Sequence, residues 1–142
     1  MGYQMFRTRK GATQDLKHSL ELLMENMDDM NAHQNYETFN VIRVGRLLEG
    51  KAFYHETDET YTCVGFEVEI ESRFDFDGKL SDMSKDVGFY AIWRGRASET
   101  APFIFDESFV DFGKSFTFTN GYGDHFEVTK VLATAKEVAE SQ

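Results

Sequence analysis

The sequence predicts an α+β fold in which an N-terminal amphipathic helix packs on a strongly curved, mostly antiparallel β-sheet or partly closed β-barrel. Three observations predict this fold class. Residues 64–77 alternate between apolar and polar side chains, residues 16–30 carry apolar side chains at helical spacing, and turn signals separate several further apolar stretches. A twisted sheet of about six to eight strands must curl or close to satisfy its edges.

The length predicts a single domain over residues 1–142. A chain of this size buries roughly two-thirds of its unfolded surface, which is enough for an independent core. Aromatic residues make up 15% of the chain and favour strands. We expect an extended arm at 1–11, a helix at 13–33, antiparallel strands over 36–132, and a short tail or helix at 133–142.

The predicted helix begins after Thr13, a good N-cap residue, and carries an apolar stripe on one side. The stripe consists of Leu16, Leu20, Leu23, Met27 and Met30, and the opposite side carries Lys17, Glu21, Glu25 and Asp28. We expect the stripe to pack on the sheet. A helix–helix dimer seam is the alternative.

The predicted long strand, residues 61–77, presents two chemically different faces, because successive side chains of a strand point to opposite sides. The apolar face contains Val64, Phe66, Val68, Ile70, Phe74 and Phe76. The other face contains Glu67, Glu69, Glu71, Arg73, Asp75 and Asp77. The pattern therefore predicts a covered face and an exposed row of carboxylates.

Glycine-containing pairs and the single proline mark the predicted strand ends. Asp77-Gly78 and Asn120-Gly121 are hairpin signals, and Glu49-Gly50 predicts a turn between strands at 38–48 and 51–55. Pro102 predicts a strand start before the apolar piece at 103–105. Phe116 and Phe118 are expected on the inner face of a short strand.

The charge balance limits the possible partners. The formal charge is −10, from 25 acidic and 15 basic residues, so direct binding to nucleic acid or an acidic membrane is not expected. No apolar run reaches the ~20 residues of a membrane-spanning helix. With one cysteine, Cys63, no internal disulfide can form, and we expect a cytoplasmic protein.

No motif in the sequence indicates catalysis, a metal or a cofactor, and we predict none of these. The four histidines, His18, His33, His55 and His125, are not at metal-ligand spacing within one element. An enzyme that uses His55 or His125 with a nearby carboxylate is the least favoured alternative. Cys63 shares a strand face with the glutamates, where negative charge would raise its pKa, and we expect it to be inert.

The carboxylate row has two interpretations. Its members could pair across strands with Arg43, Arg46, Lys51, Arg94 and Arg96, and this is the interpretation that we favour. If these strands are not neighbours, the row is presented to a protein partner. The predicted partner-binding residues are Glu67, Glu69, Glu71, Asp75 and Asp77.

We predict a non-catalytic assembly or protein-interaction protein, such as a subunit of a viral particle, with a second copy or another protein as partner. One alternative is an acidic inhibitor that imitates nucleic acid and occupies a basic groove. Another is a β-barrel that holds a small ligand among its aromatic side chains. That pocket would be lined by Phe66, Phe74, Phe89, Trp93, Phe116 and Phe118.

Overall fold

A computed structural model of the chain describes residues 5–34, 36–95 and 110–142. Its elements, in order, are α1 (Arg9–Gln14), α2 (Leu16–Gln34), β1 (Tyr36–Tyr54), β2 (Glu59–Phe76), β3 (Lys79–Leu80), β4 (Ser84–Arg94), β5 (Thr117–Thr119), β6 (His125–Ala133) and α3 (Ala135–Glu140). The predicted α+β class is confirmed. The predicted strand start at Pro102 and the piece at 103–105 lie outside the described residues.

The described strands form one sheet in the order β3-β2-β1-β6-β5, with β4 also paired to β2. All of these pairs are antiparallel, as predicted. The sheet is not closed, because no pairing joins β4 to β5 within the part of the chain that the structure describes. The predicted partly closed barrel is therefore wrong for these residues, which form an open sheet.

Two glycines in the adjacent strands β1 and β2 lie against close neighbours. A Cβ atom on Gly50 would lie 2.0 Å from the Glu127 carbonyl oxygen, and one on Gly65 would lie 2.1 Å from the Tyr90 carbonyl oxygen. Such distances exclude any side chain. The predicted turn at Glu49-Gly50 is wrong, because Gly50 lies within β1, where it lets β6 approach closely.

Above these glycines, two phenyl rings from β4 and β6 contact each other. Phe126 of β6 approaches Gly50, and Phe89 of β4 approaches Gly65. Their ring centroids are 3.7 Å apart and the rings are nearly parallel, at 8°. Strands β4 and β6 are separated by β2 and β1 in the sheet, so each ring reaches over the glycine of one intervening strand to make this contact.

The sheet has a hydrophobic core on each side. On the helix side, α2 covers β2, and this core includes Leu20, Leu23, Met27, Val64, Phe66 and Val68. On the opposite side, β4, β5 and β6 contribute to a second core, which includes Leu48, Ala52, Cys63, Phe89, Phe118 and Phe126. The expectation that β2 has one exposed face is therefore wrong over this part of the strand.

The N-terminal region contains two helices where one was predicted. Thr8 caps α1 by accepting a hydrogen bond from the Gly11 amide at 3.0 Å, and the Asp15 carboxylate accepts one from the His18 amide at 3.1 Å at the start of α2. Thr13 is therefore not the N-cap, and part of the predicted arm at 1–11 is helical. Before α1, the Phe6 amide donates to the Ile92 carbonyl at the edge of β4 (2.8 Å).

A short helix, α3, lies within the range 133–142, for which the sequence predicts a short tail or helix. Thr134 and Glu137 form a capping box at the start of α3, in which each side chain accepts a hydrogen bond from the other residue's backbone. Hydrogen bonds from Thr134 lower the pKa of the Glu137 carboxyl. None of the helices in the described ranges is both long and apolar enough to cross a membrane.

Candidate functional site

Glu67, the first residue of the predicted carboxylate row, is fully buried. Its two carboxylate oxygens accept hydrogen bonds from Arg46 Nε at 3.1 Å and Nη2 at 3.2 Å, and Oε2 also accepts one from the Gly113 amide at 2.8 Å. This carboxylate is therefore satisfied inside the protein. In this conformation Glu67 offers no surface to a partner.

The next two carboxylates of the row are also engaged by β1. Glu69 accepts two hydrogen bonds from Arg43, at 3.1 and 3.3 Å, and Glu71 accepts one from the Asn40 side chain at 3.1 Å. Cross-strand pairing is thus observed for Arg43 and Arg46, two of the basic residues that the sequence suggested. Arg96 lies outside the described residues. Lys51, the third candidate, instead donates to the Thr62 hydroxyl at 2.7 Å.

Asp75 and Asp77 are exposed and lie at the hairpin between β2 and β3. Asp75 accepts a hydrogen bond from the Gly78 amide at 2.8 Å. Asp77 and Gly78 both have positive φ, 53° and 83°, which matches the predicted Asp-Gly turn. Of the five predicted partner-binding residues, these two project furthest into solvent, and their binding to a partner stays a prediction.

Residues 110–116, which we call the covering segment, lie over the carboxylate row. Ser115 accepts a hydrogen bond through its carbonyl from Arg46 at 2.7 Å, and the Arg43 guanidinium lies 3.9 Å from the centre of the Phe112 ring. Gly45 leaves room for this arrangement, because a Cβ there would lie 2.8 Å from both the Glu67 carboxylate and the Phe112 ring. The sequence analysis did not predict that this segment covers the row. The glycine at position 45, within a predicted strand, was the only sequence feature that could have indicated a close contact there.

At the opposite end of β2, the apolar stripe extends beyond the helix that covers it. Phe66 is fully buried, whereas Phe76, on the same face, is 64% exposed. Four rings form a connected series here, with centroid distances of 4.9 Å for Tyr36–Phe39, 4.2 Å for Tyr36–Phe74 and 5.5 Å for Phe74–Phe76. We call Tyr36, Phe39, Phe74 and Phe76 the aromatic end. Leu80 and Met83, which follow β2 in the sequence, are also exposed.

A groove of about 760 Å³ runs between α2, the first half of β1 and the end of α3, and we call it the α2–β1 groove. Residues 41–44 of β1 form one wall. The helix contributes Lys17, Leu20, Glu21, Met24, Glu25 and Asp28. Two of its apolar side chains, Met24 and Ile42, are each 40% exposed. The sequence analysis did not identify this groove, because it arises where three elements meet.

The histidines considered as catalytic candidates lie close to one another but do not form a recognisable acid–base pair. The His55 backbone amide, not its ring, donates a hydrogen bond to the Asp124 carboxylate at 2.8 Å. The His125 ring stacks on Phe53 with centroids 5.0 Å apart. Over the described ranges, no group of three or more His, Cys, Asp or Glu residues could hold a metal ion.

Cys63 is buried in the second core, and burial raises the pKa of its thiol to about 12. The predicted cause, a neighbouring row of negative charge, is wrong. Arg94 and Lys51 lower the pKa, and the loss of hydration outweighs both of them.

The aromatic residues predicted to line a ligand pocket are distributed over separate places. Phe66 and Trp93 pack in the helix-side core, while Phe89 and Phe118 belong to the core on the other side of the sheet. Phe116 is 63% exposed. These side chains therefore do not enclose one cavity.

No protein-family model matches this chain, and neither a curated protein nor a solved structure matches it significantly.

Proposed function

We propose that this chain is a non-catalytic protein-interaction protein that binds a second copy or another protein through the aromatic end. The proposal rests on a connected series of rings that extends beyond the part of the sheet covered by α2. The last ring of the series, Phe76, is 64% exposed. Exposed apolar patches mark interaction sites more often than isolated exposed residues do. A subunit of a larger assembly, such as a viral particle, is one form of this function.

Ring packing within the aromatic end also supports its role in binding. Tyr36 lies against both Phe39 and Phe74, so the rings are largely fixed before any partner arrives. Fixed aromatic side chains lose little conformational entropy on binding and are common among residues that dominate interface energies. Asp75 and Asp77 lie at the same end of the sheet and would form part of a polar rim.

The alternative of an acidic inhibitor that imitates nucleic acid receives less support from the geometry. Such an inhibitor needs unpaired carboxylates in a row, whereas Glu67 and Glu69 are engaged by Arg46 and Arg43. The ligand-binding barrel has less support again, since the described sheet is open. We place the protein in the cytoplasm as part of the same proposal, because its one cysteine is buried and free.

Sedimentation of the wild-type chain and two matched variants tests the proposal. Phe76→Ser removes an exposed ring from the aromatic end, and Phe116→Ser removes an equally exposed ring, 63%, from elsewhere. Measured from about 1 to about 200 μM, a range in which weak interfaces dissociate, the wild type and Phe116→Ser should exceed the monomer mass of 16.4 kDa. Phe76→Ser should remain monomeric.

A heterologous partner would leave the wild type monomeric in that experiment, so a photo-crosslinking residue at position 76 or 116 provides the second arm. In cells that naturally make the protein, the crosslinker at position 76 should capture a discrete partner that the one at position 116 does not. A wild-type monomer together with equal crosslinking from both positions would contradict the proposal.

A further inference from the structure

The α2–β1 groove has an apolar base and a helix on each side. Residues 41–44 of β1 form the base, where Val41 and Val44 pack against the helix-side core and Ile42 is 40% exposed. One side is α2, and the other is the end of α3, which packs against β1 at this position. The groove therefore opens between two helices and not along the edge of a strand.

The volume of the groove corresponds to a short helical segment. Two turns of an α-helix are about 11 Å long and about 10–12 Å wide with their side chains, which gives a cylinder of roughly 850–1,200 Å³. The groove encloses about 760 Å³. It therefore has room for the buried part of about two helical turns, with the outer face of that segment left in solvent.

The α2 side of the groove changes from apolar at its base to acidic at its rim. At 3.6 residues per turn, the lining residues of α2 follow one another around the helix in the order Leu20, Met24, Asp28, Glu21, Glu25. Leu20 is buried, Met24 is 40% exposed, and the three acids lie at exposed or partly exposed positions. An occupant must therefore present apolar side chains to the base and polar ones to the rim.

The charge of the groove is predominantly negative. Among the described residues that line it, the acids are Glu21, Glu25 and Asp28, and the cations are Lys17 and Arg43. Arg43 is bonded to Glu69, which compensates its charge. An occupant that carries positive charge beside its apolar side chains is therefore favoured.

The arrangement of base and side favours a helical occupant over an extended one. The apolar base and the acidic rim of α2 adjoin each other at an angle. Side chains of a helix radiate around its axis, so neighbouring faces of one helix contact both surfaces at once. Successive side chains of a strand point to opposite sides, so an extended segment would turn half of its side chains away.

We propose that the α2–β1 groove binds a basic amphipathic helix of another protein. The apolar stripe of that helix contacts Met24 and Ile42, and the flank beside the stripe places lysine or arginine opposite Glu21 and Glu25. A second copy of this chain is disfavoured, because each copy has a net charge of −10 and its long helix, α2, is itself acidic beside its apolar stripe. The aromatic end contributes no residue to this surface.

The probe is a synthetic helical peptide with leucine along one stripe and lysine on one flank of that stripe. Calorimetry measures its binding to the full chain, circular dichroism its helicity, and NMR amide shifts the contact residues. We expect saturable binding, a gain of helicity, and shifts in α2 and at residues 41–44. A peptide of the same composition with its leucines distributed around the helix should bind at least about tenfold more weakly, because it has no continuous apolar stripe.

Charge variants test the acidic rim. Glu21→Gln combined with Glu25→Gln should weaken the peptide roughly fivefold, as expected for two exposed ion pairs. Glu56→Gln combined with Glu127→Gln removes the same charge from exposed positions outside the groove and should leave the affinity unchanged.

A matched pair of strand variants tests the apolar base. Ile42 and Val131 are both strand residues, with exposures of 40% and 39%, and Val131 lies outside the groove. Ile42→Thr should weaken the peptide roughly fivefold, because an apolar contact is replaced by a hydroxyl, whereas Val131→Thr should bind as the wild type does. Phe76→Ser should also bind normally, which separates this surface from the aromatic end of the proposed function.

Any of four results would overturn the inference: no saturable binding of the amphipathic peptide, equal binding of the redistributed peptide, amide shifts that lie outside the groove, or equal weakening by a variant and its control. Binding without a gain of helicity would overturn it as well, because the occupant would then be extended. Self-association of the wild type that disappears in Glu21→Gln with Glu25→Gln would identify a second copy as the occupant and would also contradict the inference.

Discussion

Arg46 of β1 and Glu67 of β2 form a buried, bidentate ion pair, with nitrogen–oxygen distances of 3.1 and 3.2 Å. The side chains are 9% and 0% exposed. The same two groups hold the covering segment, because Glu67 accepts from the Gly113 amide and Arg46 donates to the Ser115 carbonyl. The pair therefore links the sheet to the chain that covers it.

Removing one partner of this pair should destabilise the protein strongly. Glu67→Gln leaves the Arg46 charge buried without its counterion, and we expect the free energy of unfolding to fall by about 3–5 kcal/mol. The control is Glu69→Gln, whose partner Arg43 is 54% exposed, and it should cost less than about 1 kcal/mol. Urea denaturation of both variants measures the difference, and equal losses would contradict the structural role of the buried pair.

Alanine at the two closely packed glycines of β1 and β2 should be poorly tolerated. In Gly50→Ala and Gly65→Ala the new methyl would meet a carbonyl oxygen at 2.0 and 2.1 Å, respectively. We expect each variant to lose at least about 3 kcal/mol, because backbone must move to relieve the contact. Gly121→Ala is the control, since no atom lies within 4 Å of the added carbon. An equal loss of unfolding free energy in Gly121→Ala would show that the close contacts at Gly50 and Gly65 do not determine stability.

Phe118 and Phe116 should respond differently to truncation, although the sequence pattern placed them on one face. Phe118 is fully buried, and Phe116 is 63% exposed. Phe118→Ala should lower the free energy of unfolding by about 3–5 kcal/mol, and Phe116→Ala by less than about 1 kcal/mol. Thermal or urea unfolding distinguishes the two, and similar costs would place Phe116 inside the protein.

Cys63 should make stability fall at alkaline pH. Burial raises the thiol pKa from 9.0 to about 12 in the folded protein. The contribution is therefore fully present below pH 9 and is lost as the pH rises towards 12, because the unfolded chain releases this proton first. For one group the slope is about 1.4 kcal/mol per pH unit.

The matched variant for this prediction is Cys63→Ala, which has no thiol to ionise. Urea unfolding between pH 8 and 11 should give a wild-type curve that is steeper than the variant curve above about pH 9. Parallel curves over this range would mean that Cys63 is hydrated or already ionised in the folded protein.

The sequence determined the features that depend on neighbouring residues. Period-two alternation identified β2, helical spacing identified the apolar stripe of α2, and Asp77-Gly78 identified a hairpin. These patterns work because strand, helix and turn geometry act over a few residues. The possible partners of the glutamates, Arg43 and Arg46, could also be named from the sequence.

The tertiary structure decided which surfaces remained exposed. The sequence pattern placed Gly50 in a turn, whereas in the structure it lies in β1 and contacts β6. The pattern also placed Glu67 on the surface, whereas the covering segment buries it. The aromatic end and the α2–β1 groove likewise depend on where α2 stops and where β6 leaves β1. Such features arise from contacts between residues far apart in the chain, and local periodicity does not encode these contacts.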